Sequence, residues 1–184
     1  MIIMETERLI IRSFCADDWE DLYEYLSQEI VVKYEPYDVF SKDASKEEAV
    51  YRSKNDCYWA VCLKENNKLI GNIYFEHQEP EKFFTWEIGY VFNSAYWGRG
   101  YATEACKKIM DYGFKQLKAR RIVAMCNPLN TASWKLMERL NMRREGHLLK
   151  NIYFKYDDNG NPAWADTYEY AILSEEYFSP ARQA

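Results

Sequence analysis

One stretch limits the folds open to this chain more than any other: Trp97-Gly98-Arg99-Gly100-Tyr101-Ala102-Thr103, set between a strand pattern and a helix pattern. Ahead of it, Phe84, Trp86, Ile88, Tyr90 and Phe92 recur with the period of a strand. Behind it, small and apolar residues fall at 102, 105, 106, 109, 110, 113 and 117, the stripe of a helix buried on one face. The order is therefore strand, glycine turn, helix. Two glycines let the backbone turn tightly and let a ligand come close. The first amides of the helix have no intrahelical partner and carry the positive end of its dipole. Such a turn suits an anion, most often a phosphate. It is not a P-loop, because no Lys-Ser or Lys-Thr pair follows, and Thr103 stands where a dinucleotide fingerprint has its third glycine. A bare Gly-x-Gly also serves as an ordinary strand-to-helix turn, so the rest of the chain has to decide.

The length of 184 residues and a hydrophobic content of 48% predict one globular domain, 1–178, with 179–184 as a flexible tail. A net charge of −5 argues against nucleic acid as the main partner. No apolar run approaches the ~18 residues a spanning helix needs, so no membrane association is expected. Glu5, Glu7 and Arg8 follow the short apolar start, which does not read as a signal peptide, and the expected location is cytoplasmic. The five cysteines (15, 57, 62, 106, 126) form no CxxC pair and read as reduced, mostly buried thiols. His77 and His147 stand far apart, so no metal site is expected.

Taken in order, 7–12 reads as a first strand, and Asp17 or Asp18 can cap a helix to about 28. An aromatic loop covers 33–41, and Ser45-Lys46-Glu47-Glu48 can open a second helix ending near 54. Residues 57–64 and 68–76 form a hairpin about Asn66-Asn67, and 82–92 is a long third strand. A short strand at 121–126, a helix at 130–140 and strands at 143–154 and 165–173 complete the pattern. Asn141 stands where a left-handed helix cap belongs. Runs of strands with inserted helices predict an α+β or mixed α/β sheet sandwich.

Two further stretches offer chemistry. Ser133 lies three residues before Leu136, so its hydroxyl points inward, where it either bonds back to the helix start or serves a partner. Asn130 is a natural N-cap for that helix. In Thr85-Trp86-Glu87-Ile88-Gly89-Tyr90-Val91-Phe92, period two sets Glu87 on the face opposite Ile88 and Tyr90. Glu87 is either a surface carboxylate on a half-exposed sheet or a general base with a raised pKa. Gly89 marks a bulge or a close approach.

Glu-Ile-Gly-Tyr in a strand, Trp-Gly-Arg-Gly-Tyr-Ala-Thr-Glu-Ala after it and Asn-Thr-Ala-Ser opening a later helix together resemble the GNAT N-acyltransferases. The opening Thr6-Glu7-Arg8-Leu9 with Arg12 is similar to the RimJ/RimL-like branch, which acetylates ribosomal-protein N-termini. The resemblance runs from about 6 to about 173. It implies an α+β fold with a mixed, twisted sheet of six to seven strands and about four helices. It implies an enzyme that moves an acetyl group from acetyl-CoA, bound as cosubstrate, by direct attack of an amine. It also implies a monomer or homodimer. The family's Gln/Arg-x-x-Gly-x-Gly/Ala loop maps onto Trp97, Gly98, Arg99, Gly100, Tyr101 and Ala102, with Trp97 departing from the first position. The amides of Arg99, Gly100, Tyr101, Ala102 and Thr103 would then hold the CoA pyrophosphate. Tyr90, Val91 and Phe92 would pair with the pantetheine arm, Asn130 would meet the pantetheine or phosphates, and Ser133 would lie near the sulfur.

The reaction assigns the remaining roles. The amine must lose a proton before it attacks, and Glu87 is the candidate base. A backbone amide of the 90–92 segment is the candidate oxyanion donor. Ser133 is the candidate proton donor to the leaving thiolate. No cysteine nucleophile is expected. RimL-like members carry a glutamate in the strand after the Asn-x-x-Ser helix, where this chain reads Asn151-Ile152-Tyr153. Tyr23, Tyr34, Glu35, Tyr37, Asp38 and Tyr51 either line a pocket for a cationic amine or simply pack the early helices. The acceptor is a peptide N-terminus or a small amine. The rival reading is a non-catalytic CoA-binding or sensor module.

Overall fold

The structure is a computed structural model and describes residues 3–179. In chain order the elements are β1 (Ile3–Glu5), β2 (Leu9–Ser13), α1 (Trp19–Leu26), α2 (Glu29–Val32), α3 (Lys42–Ser53), β3 (Tyr58–Leu63), β4 (Leu69–His77) and β5 (Thr85–Phe92). After them come α4 (Tyr101–Lys115), β6 (Arg121–Cys126), α5 (Thr131–Arg139), β7 (Arg143–Ile152), β8 (Ala165–Leu173) and α6 (Ser174–Tyr177). One sheet runs β1-β2-β3-β4-β5-β6-β8-β7. Every neighbouring pair is antiparallel except β5 and β6, which makes the sheet mixed.

The α+β class holds, but the described residues form eight strands and six helices, more than the sequence predicts. The additions are short: β1 has three residues, and α2 and α6 four each. Segments of that length carry no readable period. The expected tail at 179–184 lies outside the described residues except for Ser179.

Three boundaries move for local reasons. Ser41, not Ser45, caps α3, its hydroxyl accepting from Ala44 N at 3.1 Å. Ser45 is buried and donates back to Ser41 O at 2.9 Å. Asp18 makes no side-chain cap on α1, because its carboxylate takes Arg12 in a two-pronged pair at 2.7 and 2.8 Å and Cys15 N at 2.8 Å. The strand expected from 82 starts at Thr85, since 81–83 is a single 3-10 turn and Phe84 is left-handed at φ 49°.

Alternation divides the core between the two faces of the sheet. Ile88 and Phe92 meet α4 and α5 through Ala105, Cys106, Ile109, Met110, Leu136 and Met137. Val91 turns the other way, into the layer of Leu22, Tyr25, Leu26, Val31 and Ala49 from α1, α2 and α3. Each fully buried side chain stabilises by roughly 1.5–3 kcal/mol. At Gly113 the backbone of α4 rests on the Phe75 ring, whose Cζ would sit 2.6 Å from an added Cβ. This helix is thereby held close to the sheet, and its N-terminus opens toward the C-terminal end of β5.

Candidate active site

The parallel β5–β6 ladder lasts only three pairs, Thr85 with Arg121, Trp86 with Ile122 and Glu87 with Val123. On the far sides both strands continue paired, β5 with β4 through Phe92 and β6 with β8 through Cys126. The sheet therefore opens into a wedge past Glu87. Gln78 N bonds Thr85 O at one end of the β4–β5 register and Asn93 N bonds Ile70 O at the other. In an antiparallel ladder this phase turns the odd-numbered backbone groups of β5 to β4 and the even-numbered ones to β6. The Ile88 N–H closes the last pair of the ladder, on Val123 O, and Tyr90 and Phe92 direct their N–H groups into the wedge. Val91, grouped with them on sequence grounds, has its amide in the β4 ladder and only its side chain on the cleft.

The wedge is part of a cleft of about 1510 Å³. Its lining includes Glu87, Tyr90, Val91, Phe92, Gly98, Gly100, Tyr101, Ala102, Thr103, Asn130 and Ser133, so nearly every residue singled out from the sequence meets in one place. Arg99 does not line it. Its carbonyl accepts from Arg8 Nη1 at 3.0 Å, and its guanidinium stands 5.6 Å from the Tyr96 ring centre.

Gly98 and Gly100 both take positive φ, 72° and 81°, which is why glycine occupies them. Gly100 is the N-cap of α4 and supplies no side-chain cap, so the amides of Tyr101, Ala102 and Thr103 stay open at the positive end of the helix. The turn is braced from outside. Arg8 reaches Glu104 through Nε at 2.7 Å, and Thr6 Oγ1 donates to the same carboxylate at 2.5 Å. The Arg8 guanidinium also lies 4.4 Å from the Tyr101 ring centre. That is the physical role of the Thr-Glu-Arg-Leu opening. Trp97 closes the turn from inside, donating from Nε1 to Phe92 O at 2.8 Å.

At the start of α5, Asn130 is indeed the N-cap, its side-chain oxygen accepting from Ser133 N at 3.2 Å. The Ser133 hydroxyl does not close on its own helix start. It lies 3.0 Å from the Tyr90 hydroxyl, which also donates to Ser133 O at 3.0 Å. Burial pushes the Tyr90 phenol far above its ordinary value, so it stays protonated. Cys126 lies against the same serine, and burial pushes its thiol up to about 11, far from a reactive thiolate.

The opposite wall comes from α3, the 33–41 loop and the odd-numbered face of β5. Glu87 is half-buried there, and its pKa is raised by burial and then by Glu76, its cross-strand neighbour. Tyr34, Glu35, Tyr37 and Tyr51 join it in the lining, as the sequence allowed, whereas Tyr23 and Asp38 lie elsewhere. Burial raises Glu35 to about 7 against the opposing pull of Arg52. Sequence reasoning missed Arg52, Glu48 and the phenol of Tyr90. Arg52 had a signal, since Ser45, Ala49 and Arg52 fall at the spacing of one buried helix face.

A model of the acetyltransferase (GNAT) domain matches residues 8–143. Over 174 residues the chain is 42% identical to a Bacillus subtilis protein described as uncharacterized N-acetyltransferase YnaD, covering 94% of this chain and 97% of the relative. The crystal structure of an acetyltransferase (GNAT family) from Bacillus anthracis superposes with TM-score 0.86 at 40% identity, covering 95% of this chain and all of the other. At the level of fold alone, the chain matches ribosomal-protein-S5-alanine acetyltransferase from Vibrio fischeri (TM-score 0.77, 23% identity, 97% and 100% covered). It likewise matches spermidine N-acetyltransferase from Vibrio cholerae, solved with CoA and spermine (TM-score 0.76, 18% identity, 95% and 100% covered).

Proposed function

The chain belongs to the GNAT acetyltransferases, and we propose that it moves the acetyl group of acetyl-CoA directly onto a primary amine, in a ternary complex formed in this cleft. One observation carries the reading. The β5–β6 ladder ends at Glu87, leaving N–H groups of β5 without a strand partner on a path to the uncapped start of α4.

In this reading the pyrophosphate rests on the amides of Tyr101, Ala102 and Thr103, where the helix dipole favours negative charge. The pantetheine arm fills the wedge as a missing strand, bonding the backbone groups of β5 that the ladder leaves open, the N–H groups of Tyr90 and Phe92 among them. The thioester carbonyl then lies against the N–H of Tyr90 or Phe92, and that amide stabilises the oxyanion. Glu87 takes the proton of the amine as it attacks, and its raised pKa suits that task near neutral pH. Attack forms the C–N bond and a tetrahedral oxyanion, whose collapse breaks the C–S bond and releases the CoA thiolate. A thiolate with a pKa of roughly 8.5, by analogy with cysteine, needs only modest help to leave. The Ser133–Tyr90 hydroxyl pair supplies that help. Transfer is direct, with Cys126 and Cys106 held as thiols. The whole of 1–178 acts as one catalytic domain in the cytoplasm.

The test is calorimetric titration with acetyl-CoA, followed by thiol release with amino acids, peptides and polyamines. Micromolar binding with acceptor-dependent release is expected. Binding without release from any acceptor would favour a CoA-binding module, and absence of binding would remove the cosubstrate from the reading.

A further inference from the structure

The acceptor wall of the cleft holds a cation whose hydrogen bonds are not all used. Arg52 lies in the buried stripe of α3, is only 2% exposed and lines the cleft. Its guanidinium is set between rings, 4.8 Å from the Tyr58 centre and 5.5 Å from that of Phe14. Nε donates to Glu48 Oε1 at 2.7 Å, and the Tyr37 hydroxyl lies against the group. Nη1 is shut off from bulk water and has no hydrogen-bond partner among the described residues.

A guanidinium offers five donors in a rigid fork, and a purely structural pair with a carboxylate tends to use two of them side by side. Here Glu48 is met through Nε alone. A buried cationic donor without an acceptor costs free energy, and because the residue borders the cleft, a small shift of its side chain lets a ligand bring an acceptor to it and remove that cost.

Resting on the acetyl-transfer reading above, we propose that Arg52 binds a carboxylate of the acceptor, so that the acceptor is an amine that also carries a carboxylate, as an α-amino acid does. The charges along the wall fit such a molecule. Arg52, partly offset by Glu48 and the nearby Glu35, marks its cationic pole, and Glu87, which among the described residues makes no hydrogen bond or ion pair, marks the pole beside the wedge where the amine must react. An ammonium placed at Arg52 Nη1 would meet a like charge in a water-poor site, whereas a carboxylate there would be paired. The carboxylate can come from a free amino acid or from an acidic side chain or C-terminus of a short peptide, and the assay separates these.

The experiment measures thiol release at saturating acetyl-CoA for matched acceptors. They are free α-amino acids, their amides, the amines left on decarboxylation, and tripeptides differing only by Glu against Gln or by a free against an amidated C-terminus. The wild-type protein is expected to prefer the carboxylate-bearing members by about 100-fold in kcat/KM, chiefly through KM, the scale of rejecting an analogue that leaves a buried donor unpaired. In the double variant Arg52→Gln/Glu48→Gln both members of the ion pair lose their charge together, so neither is left without its partner. There the preference is expected to fall below threefold while acetyl-CoA affinity, read by calorimetry, is retained. Equal use of acids and amides, a preference for decarboxylated amines, or a double variant that keeps the preference would each overturn the proposal and leave acetyl transfer standing. If acetyl-CoA does not bind, or no amine of any kind is acetylated, it is the underlying reading that falls. The wild-type comparison decides by itself if the double variant does not fold.

Discussion

The two walls of the cleft are made of different material. On the α4–α5 side, open backbone amides do the work: Tyr101, Ala102 and Thr103 at a helix start, and Tyr90 and Phe92 along the wedge. Arg99, the charged side chain of that turn, is not part of the cleft lining and sits over the Tyr96 ring. The α1–α3 side is built from side chains: Glu35, Tyr37, Glu48, Arg52 and Glu87, two of them carboxyls with raised pKa values. A backbone wall keeps its donors whatever side chains it carries, provided glycine holds the turn. A side-chain wall changes its chemistry with each substitution. The first suits a ligand shared across many related proteins, the second a ligand that differs among them.

That contrast can be broken most directly at Gly100. Its φ of 81° disfavours any side chain, and an added Cβ would meet Arg8 Nη2 at 3.4 Å. Gly100→Val is expected to weaken acetyl-CoA binding at least about 100-fold, by withdrawing several phosphate donors at once. The helix itself should survive, with circular dichroism unchanged. Retained affinity would mean that the backbone wall does not hold the cosubstrate. Glu87→Gln tests the other wall. Loss of a general base predicts a fall in kcat of about 100- to 1,000-fold near neutral pH. Wild-type activity should drop as pH falls through the Glu87 pKa, which lies above the ordinary carboxylate value, and the variant should lack that inflection. An unchanged pH–rate profile would remove Glu87 as the base.

The same contrast explains what could be read from the sequence. The backbone wall was legible because its requirements are written in residue type: glycines at 98 and 100 for positive φ, alternating apolar residues for β5, a 3.6-period stripe for α4. The splay of β5 from β6 was not legible as such, since no local pattern says where a ladder stops. The side-chain wall was half legible. Glu35, Tyr37 and Glu87 stand out as polar residues among aromatics, but the convergence of Glu35 and Tyr37 on Arg52 depends on how α3 and the 33–41 loop pack over β4 and β5. Arg52 resembled any charged helix residue until its 2% exposure was seen. The capping-box pattern at Ser45 misled because Ser41, four residues earlier, caps just as well and has room to do so.

Smaller effects sharpen the comparison further. Ser133→Ala removes one hydroxyl of the pair beside the wedge, while Tyr90 keeps its bond to the Ser133 carbonyl at 3.0 Å. Slowing of about 10- to 100-fold is expected, because a thiolate is already a fair leaving group. The loss should be larger with acceptors that react fast enough to make thiol departure limiting. If single-turnover rates do not change at all, the serine is only part of the helix packing.

The smallest effect concerns stability. Glu35 titrates near 7 in the folded protein and near 4.5 when unfolded. Between those values the folded state binds more protons than the unfolded one, so stability falls as pH rises from about 4.5 to about 7 and stays reduced above. Glu35→Gln removes a charge that burial penalises. It should therefore stabilise the protein by up to about 3 kcal/mol at pH 8, a rise of several degrees in Tm, and give no gain near pH 4.5. A gain of the same size at both pH values would trace to packing rather than ionisation. A loss at pH 8 would show that the Glu35 carboxylate is satisfied by Arg52, and the side-chain wall would then be a closed ion network instead of one with capacity left for a ligand.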